Sequence, residues 1–399
     1  MNSWLFVVGL VAQTAPAPPV TAGWQDGFVL QSANGDNRLV AGVTVQTDGR
    51  FPLDDPQPTT STFMIRKARP TLSGRVAKYF EFKLMPDFGN GTAVLQDAYV
   101  DVRFSPKFRV RSGKDKTPVG YELLQGDPYL LFPERALASS LVPNRDVGFQ
   151  AIGEPSPRLS FAGGVFNGVP DGSSSTADVD ANGSKDLAGR VTWQPFRSAA
   201  PNAGAANGLG FQVGGSIGSQ AAMLPAFRTS GGQTYFSYAP GAAASGDRRR
   251  VTPAVFYYYK SFGAFGEYMR TMQDISRSST TETITNNGWD ATASYVLTGE
   301  ATSDRGVRPT RAFDPPNRRW GALQVVARYS ELRIDPIAFS RGLAATTASG
   351  KAAALAVGAN WYLTTVVKYY VMYERTSFDG GPAARPDEHV IVFRMQLAF

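Results

Sequence analysis

The chain has no cysteine and a single histidine, His389. A disulfide framework and any thiolate metal site are therefore excluded. A serine-hydrolase triad would have to be built around His389 alone, and no multi-histidine metal site can form. Long apolar runs are equally scarce. Beyond the N-terminus, no stretch approaches the roughly 18 to 20 apolar residues that a membrane-spanning helix needs. Acidic residues are outnumbered, 33 against 40 Lys and Arg, for a net charge of +7. On a soluble protein that balance would point to nucleic acid or an anionic surface. Here the basic residues alternate along apolar segments and form no patch with exposed aromatics, so nucleic acid is not an expected partner. No cofactor is implied.

What the chain does contain is 41 Gly, 25 Phe and 16 Tyr. Its apolar residues are spread through short, glycine-punctuated segments, a composition that favours strands and tight turns over helices. An all-β, single-domain fold is expected.

At the N-terminus, Leu5 to Ala12 form a short apolar run, and Ala15-Pro16-Ala17 supply the small residues of a cleavage site. Residues 1–17 are expected to be an export signal, with only the terminal amine as charge ahead of the apolar run. Either the true start lies upstream or the signal is atypical. Pro16, Pro18 and Pro19 stiffen an expected spacer that reaches residue 37.

From residue 38 to 399 the repeating unit is an alternating segment of about ten residues, bounded by turn residues, as in the strands of a transmembrane barrel. The last segment shows it best. Ile391, Phe393, Met395, Leu397 and Phe399 share one face, and Val392, Arg394 and Gln396 the other. Phe80, Phe82 and Leu84 alternate with Glu81 and Lys83 in the same way, and Val100, Val102 and Phe104 with Asp101 and Arg103. Leu323, Val325 and Tyr329 oppose Gln324 and Arg328, and Val367, Tyr369 and Val371 oppose Lys368. A soluble sandwich also alternates. The apolar face recurs, however, without the single compact core that a sandwich would need. Units of about 25 residues give roughly 16 strands, an even number as bacterial barrels require. Asp171 to Lys185, Ala221 to Asp247 and Thr298 to Asn317 are expected to be surface loops.

The polar faces carry the functional signal. Lys83, Arg103, Arg109, Arg111, Arg190, Arg328, Lys368 and Arg394 stand against Glu81, Asp97, Asp101 and Glu374. That surplus predicts a positive lumen, where several weak sites in series would attract an anion without trapping it. The opposing view is that these cations simply pair with acids across the wall. Arg66, Lys67 and Arg69 crowd three charges into four positions, which a regular strand cannot point one way. Lys67 and Arg69 fall on the lumen side, while Arg66 is expected to turn inward at a bulge or reach the rim. Pro70 supports local irregularity. The segment from Gly113 to Gly148 is too long and proline-rich for one strand. It is also too apolar for open solvent, so it is expected to fold inside the barrel and narrow the pore.

Several motifs then resemble the phosphate-selective porin O and P family. They are Arg66-Lys67-Ala68-Arg69, Tyr79-Phe80-Glu81-Phe82-Lys83, Gln96-Asp97-Ala98-Tyr99 and Gly113-Lys114-Asp115-Lys116-Thr117-Pro118-Val119-Gly120-Tyr121-Glu122. Pro133-Glu134-Arg135, Pro143-Asn144-Arg145-Asp146-Val147-Gly148, Arg190-Val191-Thr192-Trp193 and Asn360-Trp361-Tyr362-Leu363 belong to the same likeness. The resemblance implies a 16-stranded, homotrimeric porin in the outer membrane of a Gram-negative bacterium, embedded in lipid and lipopolysaccharide. Its third loop, about residues 115–146 here, would fold inward, and its lumen would pass small anionic solutes, phosphate or polyphosphate among them. Arg66, Lys67 and Arg135 would lie near the constriction with Asp97 as an acidic counterweight. Arg69, Arg109, Arg111 and Lys116 complete the expected anion pathway. The sequence departs from the phosphate-specific members at Leu123, where they carry a lysine after the loop glutamate. Two other classes stay open: a receptor or adhesion barrel that binds through its loops, and an outer-membrane hydrolase relying on His389.

Overall fold

Alternation with a period of two is satisfied when the two faces of a strand meet different media. The computed structural model describes residues 20–399 except 54–59, 176–181, 201–203, 222 and 383. The expected export signal, residues 1–17, lies outside the described residues. A hairpin of β1 (Val20–Trp24) and β2 (Phe28–Ser32) comes first, within the stretch expected as a spacer. The wall follows as β3 (Arg38–Leu53), β4 (Thr62–Val76), β5 (Phe80–Asp87), β6 (Val94–Ser105) and β7 (Phe108–Lys116). It continues as β8 (Arg145–Ser156), β9 (Leu159–Phe166), β10 (Asp186–Trp193) and β11 (Leu209–Gln220). A small ribbon, β12 (Phe227–Arg228) and β13 (Thr234–Phe236), precedes β14 (Ala243–Tyr259), β15 (Phe262–Arg277) and β16 (Thr280–Val296). A second ribbon, β17 (Thr302–Ser303) and β18 (Gly306–Val307), leads to β19 (Ala322–Arg333), β20 (Lys351–Tyr362), β21 (Val367–Asp379) and β22 (Glu388–Ala398).

Leaving aside the hairpin and the two ribbons, each strand pairs antiparallel with the next, and β22 returns to β3 from Ala398↔Thr44 to His389↔Leu53. Among the described residues sixteen strands thus close a barrel, which removes the free edges an open sheet would expose. The seam is extended by β2, which pairs with Arg38–Ala41 of β3 beyond the end of β22. There the rings of Trp24 and Phe28 lie 5.0 and 5.9 Å from Phe399.

The alternation expected from the sequence is realised around the wall. On β22, Phe393 and Met395 face outward, while Val392, Arg394 and Gln396 are buried inside. Phe80, Leu84, Val100, Phe104, Val191, Trp193, Val325 and Val371 are likewise exposed on the outer surface. That surface meets hydrocarbon, so its exposure is its burial in lipid.

At one end five turns are short (77–79, 106–107, 157–158, 260–261 and 363–366), as on the periplasmic side of such barrels, although the longer connections 194–208 and 297–321 lie there too. The other end carries the long connections 117–144, 167–185, 221–242 and 334–350. One expectation for a surface loop fails here. The Ala221 to Asp247 stretch is no polar surface loop: Phe227, Tyr235 and Phe236 are almost wholly buried, and β14 already begins at Ala243. Thr298 to Asn317 is a largely exposed loop, as expected, and lies at the short-turn end, where Val307 anchors it against Val296, Ala322 and Tyr362.

A compact apolar core does exist, although the wall pattern alone suggested none. It sits inside the barrel, where Leu137, Leu141 and Val142 of the 117–144 loop meet Phe227, Phe236, Ile275, Ile284 and Leu332. Loop residues fold onto inward-facing wall residues to make this core, so strand periodicity by itself could not announce it.

Candidate constriction and anion pathway

A proline-rich segment lacks a backbone donor at each proline and is barred from regular helix there, yet its carbonyls still need partners when buried. The loop 117–144 meets this requirement by lying across the lumen. Its entry is made by Gly120 (φ +83°), whose N–H donates to Thr252 Oγ1 at 3.2 Å and whose carbonyl accepts from Gln212 Nε2 at 3.1 Å. The Tyr121 and Glu122 amides then donate to the Glu267 carboxylate at 2.6 and 3.1 Å. On the far wall the polar residues of β19 to β22 act as donors to the loop carbonyls. Arg328 reaches Glu134 O at 2.9 Å, Asn360 reaches Leu131 O at 3.0 Å, Lys368 reaches Leu130 O at 3.0 Å and Gln396 reaches Pro128 O at 3.1 Å. Arg394 donates to Pro133 O and pairs with Asp48 at 2.6 Å.

This corrects part of the positive-lumen sum. Arg328, Lys368 and Arg394 are nearly wholly buried behind the loop. Arg394 therefore does not line a broad part of the lumen; it holds the loop. Most of the other summed cations also have acids beside them. Lys83 lies 2.7 Å from Asp97, Arg103 2.7 Å from Glu81, Arg111 2.7 Å from Asp101 and Arg328 3.3 Å from Glu374. Pairing across the wall, the blander view of these residues, describes them well. Arg190 differs: its Nη1 donates to Thr192 Oγ1 at 3.2 Å, and it faces open space.

Four of the expected site residues converge on two loop carboxylates. Asp127 receives Lys67 Nζ at 2.8 Å, Arg135 Nη2 at 2.8 Å and Arg69 Nη1. Glu134 receives Arg66 Nε at 2.8 Å and Arg50 Nη2 at 2.6 Å. Arg66 gets there through the expected bulge, since the β3–β4 register jumps from Gln46↔Lys67 to Thr47↔Ile65 and leaves it unopposed. Pro70 is not the irregular position, because it pairs normally with Val43. Burial tends to raise the Asp127 carboxyl, but Lys67, Arg135, Arg69 and Lys116 together hold it well below the usual carboxylate range. Burial acts on Glu134 likewise, and Arg66, Arg50 and Arg394 bring it well below that range.

The remaining candidates lie around this centre. Asp97 accepts from Lys83 and from Arg145 Nε at 2.6 Å. Lys116 spends its ammonium on the Leu123 and Gln125 carbonyls, both at 2.6 Å. Arg111 stacks 3.5 Å from the Tyr99 ring centroid and pairs with Asp101 and Asp115. Arg109, nearer the short-turn end, is 3.3 Å from Asp101. Leu123, where the phosphate-specific pattern has lysine, packs its side chain into the apolar core. Sequence reasoning missed Asp127, Glu134 and Arg50. Gly126-Asp127-Pro128 is an ordinary turn signal, and Glu134 was visible only as the middle of Pro133-Glu134-Arg135.

Open space remains on both sides of the loop. Toward the long-loop end a cavity of about 630 Å³ is lined by Arg50, Arg66, Arg135 and Arg228 against a single acid, Glu134. Toward the short-turn end a cavity of about 590 Å³ is lined by Arg190, Arg197 and Arg305 against Asp304. Leu123 lines the first cavity and Leu124 and Gln125 the second, so the loop forms the partition.

Solved structures share this architecture. The anion-selective porin from Comamonas acidovorans has a TM-score of 0.57 and 14% identity, over 90% of this chain and 99% of that one. The Salmonella typhi OmpF complex with daunomycin gives 0.58 and 12%, over 94% and 100% of the two chains. Vibrio cholerae OmpT in its trimer form gives 0.52 and 10%, over 90% and 99%. A search of curated proteins finds no match. A family model covers residues 41–399, nearly the whole barrel, and with it the chain belongs to the phosphate-selective porin O and P family, the porins of the Gram-negative outer membrane.

Proposed function

We propose that this porin is a passive, anion-preferring diffusion channel for small oxyanions, inorganic phosphate among them, working as a homotrimer and not as an enzyme. The observation that carries this is the surplus of arginine in the water-accessible space on both sides of the loop, four against one and three against one. Arginine keeps its charge at any working pH and offers several donors to an oxyanion. The paired cations set the frame of the pore, and the surplus sets its sign. Specific capture of phosphate has less support, because Leu123 buries an alkyl chain where a lysine would add charge. His389 bonds Tyr373 Oη at 2.7 Å on the outer wall, away from both cavities.

A planar-bilayer recording under a KCl gradient tests the reading. The reversal potential should lie on the chloride side, and phosphate should conduct. Cation selectivity would end the proposal. A second reading, a loop-plugged receptor barrel, draws on the buried Phe227, Tyr235 and Phe236 in the mouth. It requires that no single-channel steps be seen.

A further inference from the structure

We propose that the lumen between the loop and the short-turn end holds a binding site for an aromatic carboxylate, a single ring carrying one negative charge. The proposal deepens the channel reading and rests on it for the route by which the ligand arrives. A pore that sorted ions by sign alone would need only cations and water, and the interior of such barrels is polar. The cavity of about 590 Å³ on this side has two unlike walls instead. Arg190 and Thr192 of β10 line one, Phe256 and Tyr258 of β14 the other, and the loop adds Tyr121 and Tyr129. Only β11 separates the two walls, in the register Arg190↔Gly214, Thr192↔Gln212 and Gly210↔Phe256. Two strand spacings make about 10 Å. An arginine side chain and one six-membered ring can bridge that gap together.

The aromatic wall is preformed. The Phe256 ring occupies the room that a side chain at Gly210 would take. Tyr121 stacks on Phe256 with centroids 4.9 Å apart and an interplanar angle of 11°, and its hydroxyl lies 3.2 Å from that of Tyr258. Rings fixed by other rings offer a further ring offset or edge-on contacts. The cations opposite are uncommitted. In the long-loop cavity Arg50 and Arg66 are paired with Glu134, and Arg135 with Asp127. Arg190, Arg197 and Arg305 have no ion pair among the described residues. Arg190 spends one donor on Thr192 Oγ1 and Arg197 one on Gln194 Oε1, at 3.2 and 2.9 Å. Arg190 Nε is buried without a hydrogen-bond partner. Glu154 and Asp115 influence Arg190 without pairing with it, and Asp115 is taken by Arg111. A guanidinium with unspent donors matches the flat fork of a carboxylate. The cavity's one acid, Asp304, acts on the Tyr121 hydroxyl, so a second negative charge at the ring end would be repelled. The fitting ligand therefore turns its carboxylate to Arg190 and an uncharged ring to Tyr258.

The test is a ligand-observed NMR titration of the folded barrel in mild detergent, with benzoate as the probe. Cyclohexanecarboxylate, equal in charge and similar in size but without a π face, is the control. Benzoate should bind about fivefold more tightly than the control. Arg190→Gln should weaken benzoate binding by about tenfold, and Arg190→Lys should recover part of it. Tyr258→Leu, which leaves every charge in place, should bring benzoate down to the level of the control. Chloride current should persist in all three variants, which separates loss of the site from loss of the fold. Equal binding of the two acids by the wild type would overturn the proposal, as would normal benzoate binding by Arg190→Gln. So would an Arg228→Gln variant, in the other cavity, that weakens benzoate as much as Arg190→Gln does. Anion-selective current with no benzoate binding would overturn this site and leave the channel reading standing. A cation-selective barrel that still bound benzoate through Arg190 would do the reverse.

Discussion

At the scale of single residues, Asp127 is the group on which the constriction turns. Lys67, Arg69 and Arg135 all face it in a buried setting. Removing one partner of a buried charge cluster leaves the others uncompensated, at a cost of about 3 to 5 kcal/mol. Asp127→Asn should therefore lower the thermal unfolding midpoint in detergent and move the reversal potential further toward the anion side, since one negative charge leaves the narrow region. An unchanged midpoint would mean the cluster contributes nothing to anchoring the loop. Arg135→Glu should act in the opposite electrical sense by placing a second carboxylate beside Asp127. Its shift toward cations should exceed that of Arg109→Glu, nearer the short-turn end.

The pH dependence of the anchor follows from the same groups. The carboxyls of Asp127 and Glu134 are held below their ordinary values in the folded barrel. A depressed carboxyl contributes stability that is fully present above its unfolded value and is lost as pH falls through the folded value. The stability that these two carboxyls supply should therefore be fully present from neutral pH to about 4, the ordinary carboxylate range, and be lost only on further acidification, so the destabilisation caused by Asp127→Asn should be constant over that range and shrink below it. A change in that difference between pH 5 and 7 would assign the anchoring to other groups.

At the scale of elements, the loop is fixed by shape as well as charge. Its short 3-10 helix, Leu137–Leu141, sits against β16, where a Cβ added to Gly288 would lie 3.0 Å from Ala138. Ala138→Leu has no room to grow, and overpacking of that kind costs about 1 to 3 kcal/mol. The loop should lift from the wall, giving larger and noisier single-channel steps than the wild type. Steps of wild-type size and noise would show that the ion pairs hold the loop unaided.

At the scale of the whole molecule, closure depends on the seam. Phe399 exchanges backbone hydrogen bonds with Val43 at 2.9 and 3.0 Å and carries the Trp24 and Phe28 rings. Deleting Phe399 should reduce the yield of heat-modifiable, folded barrel while leaving the conductance of assembled channels unchanged. If the yield is unaffected, the aromatic contact is incidental to closure.

Much of this molecule was legible before any coordinates. Period-two alternation is a local property of the chain, so wall strands, their inward and outward faces and the closing strand ending at Phe399 could be read directly. Crowding of Arg66, Lys67 and Arg69 showed that the three could not share one face and left Arg66 either at a bulge or at the rim; the register shift in the folded wall decides for the bulge. The apolar, proline-rich stretch from Gly113 to Gly148 had to be buried somewhere, and the lumen was the available place. Tertiary structure alone decided which charges oppose one another. Arg394 and Lys368 alternate along their strands as Arg190 does, yet they end up under loop carbonyls while Arg190 faces open space. That difference is set by where a loop more than two hundred residues away in sequence crosses the barrel. The same holds for Asp127 and Glu134, whose partners come from β3, β4, β22 and the loop itself. Periodicity reports which side of the wall a residue faces; only the folded loop determines whether that side is water, protein or an opposite charge.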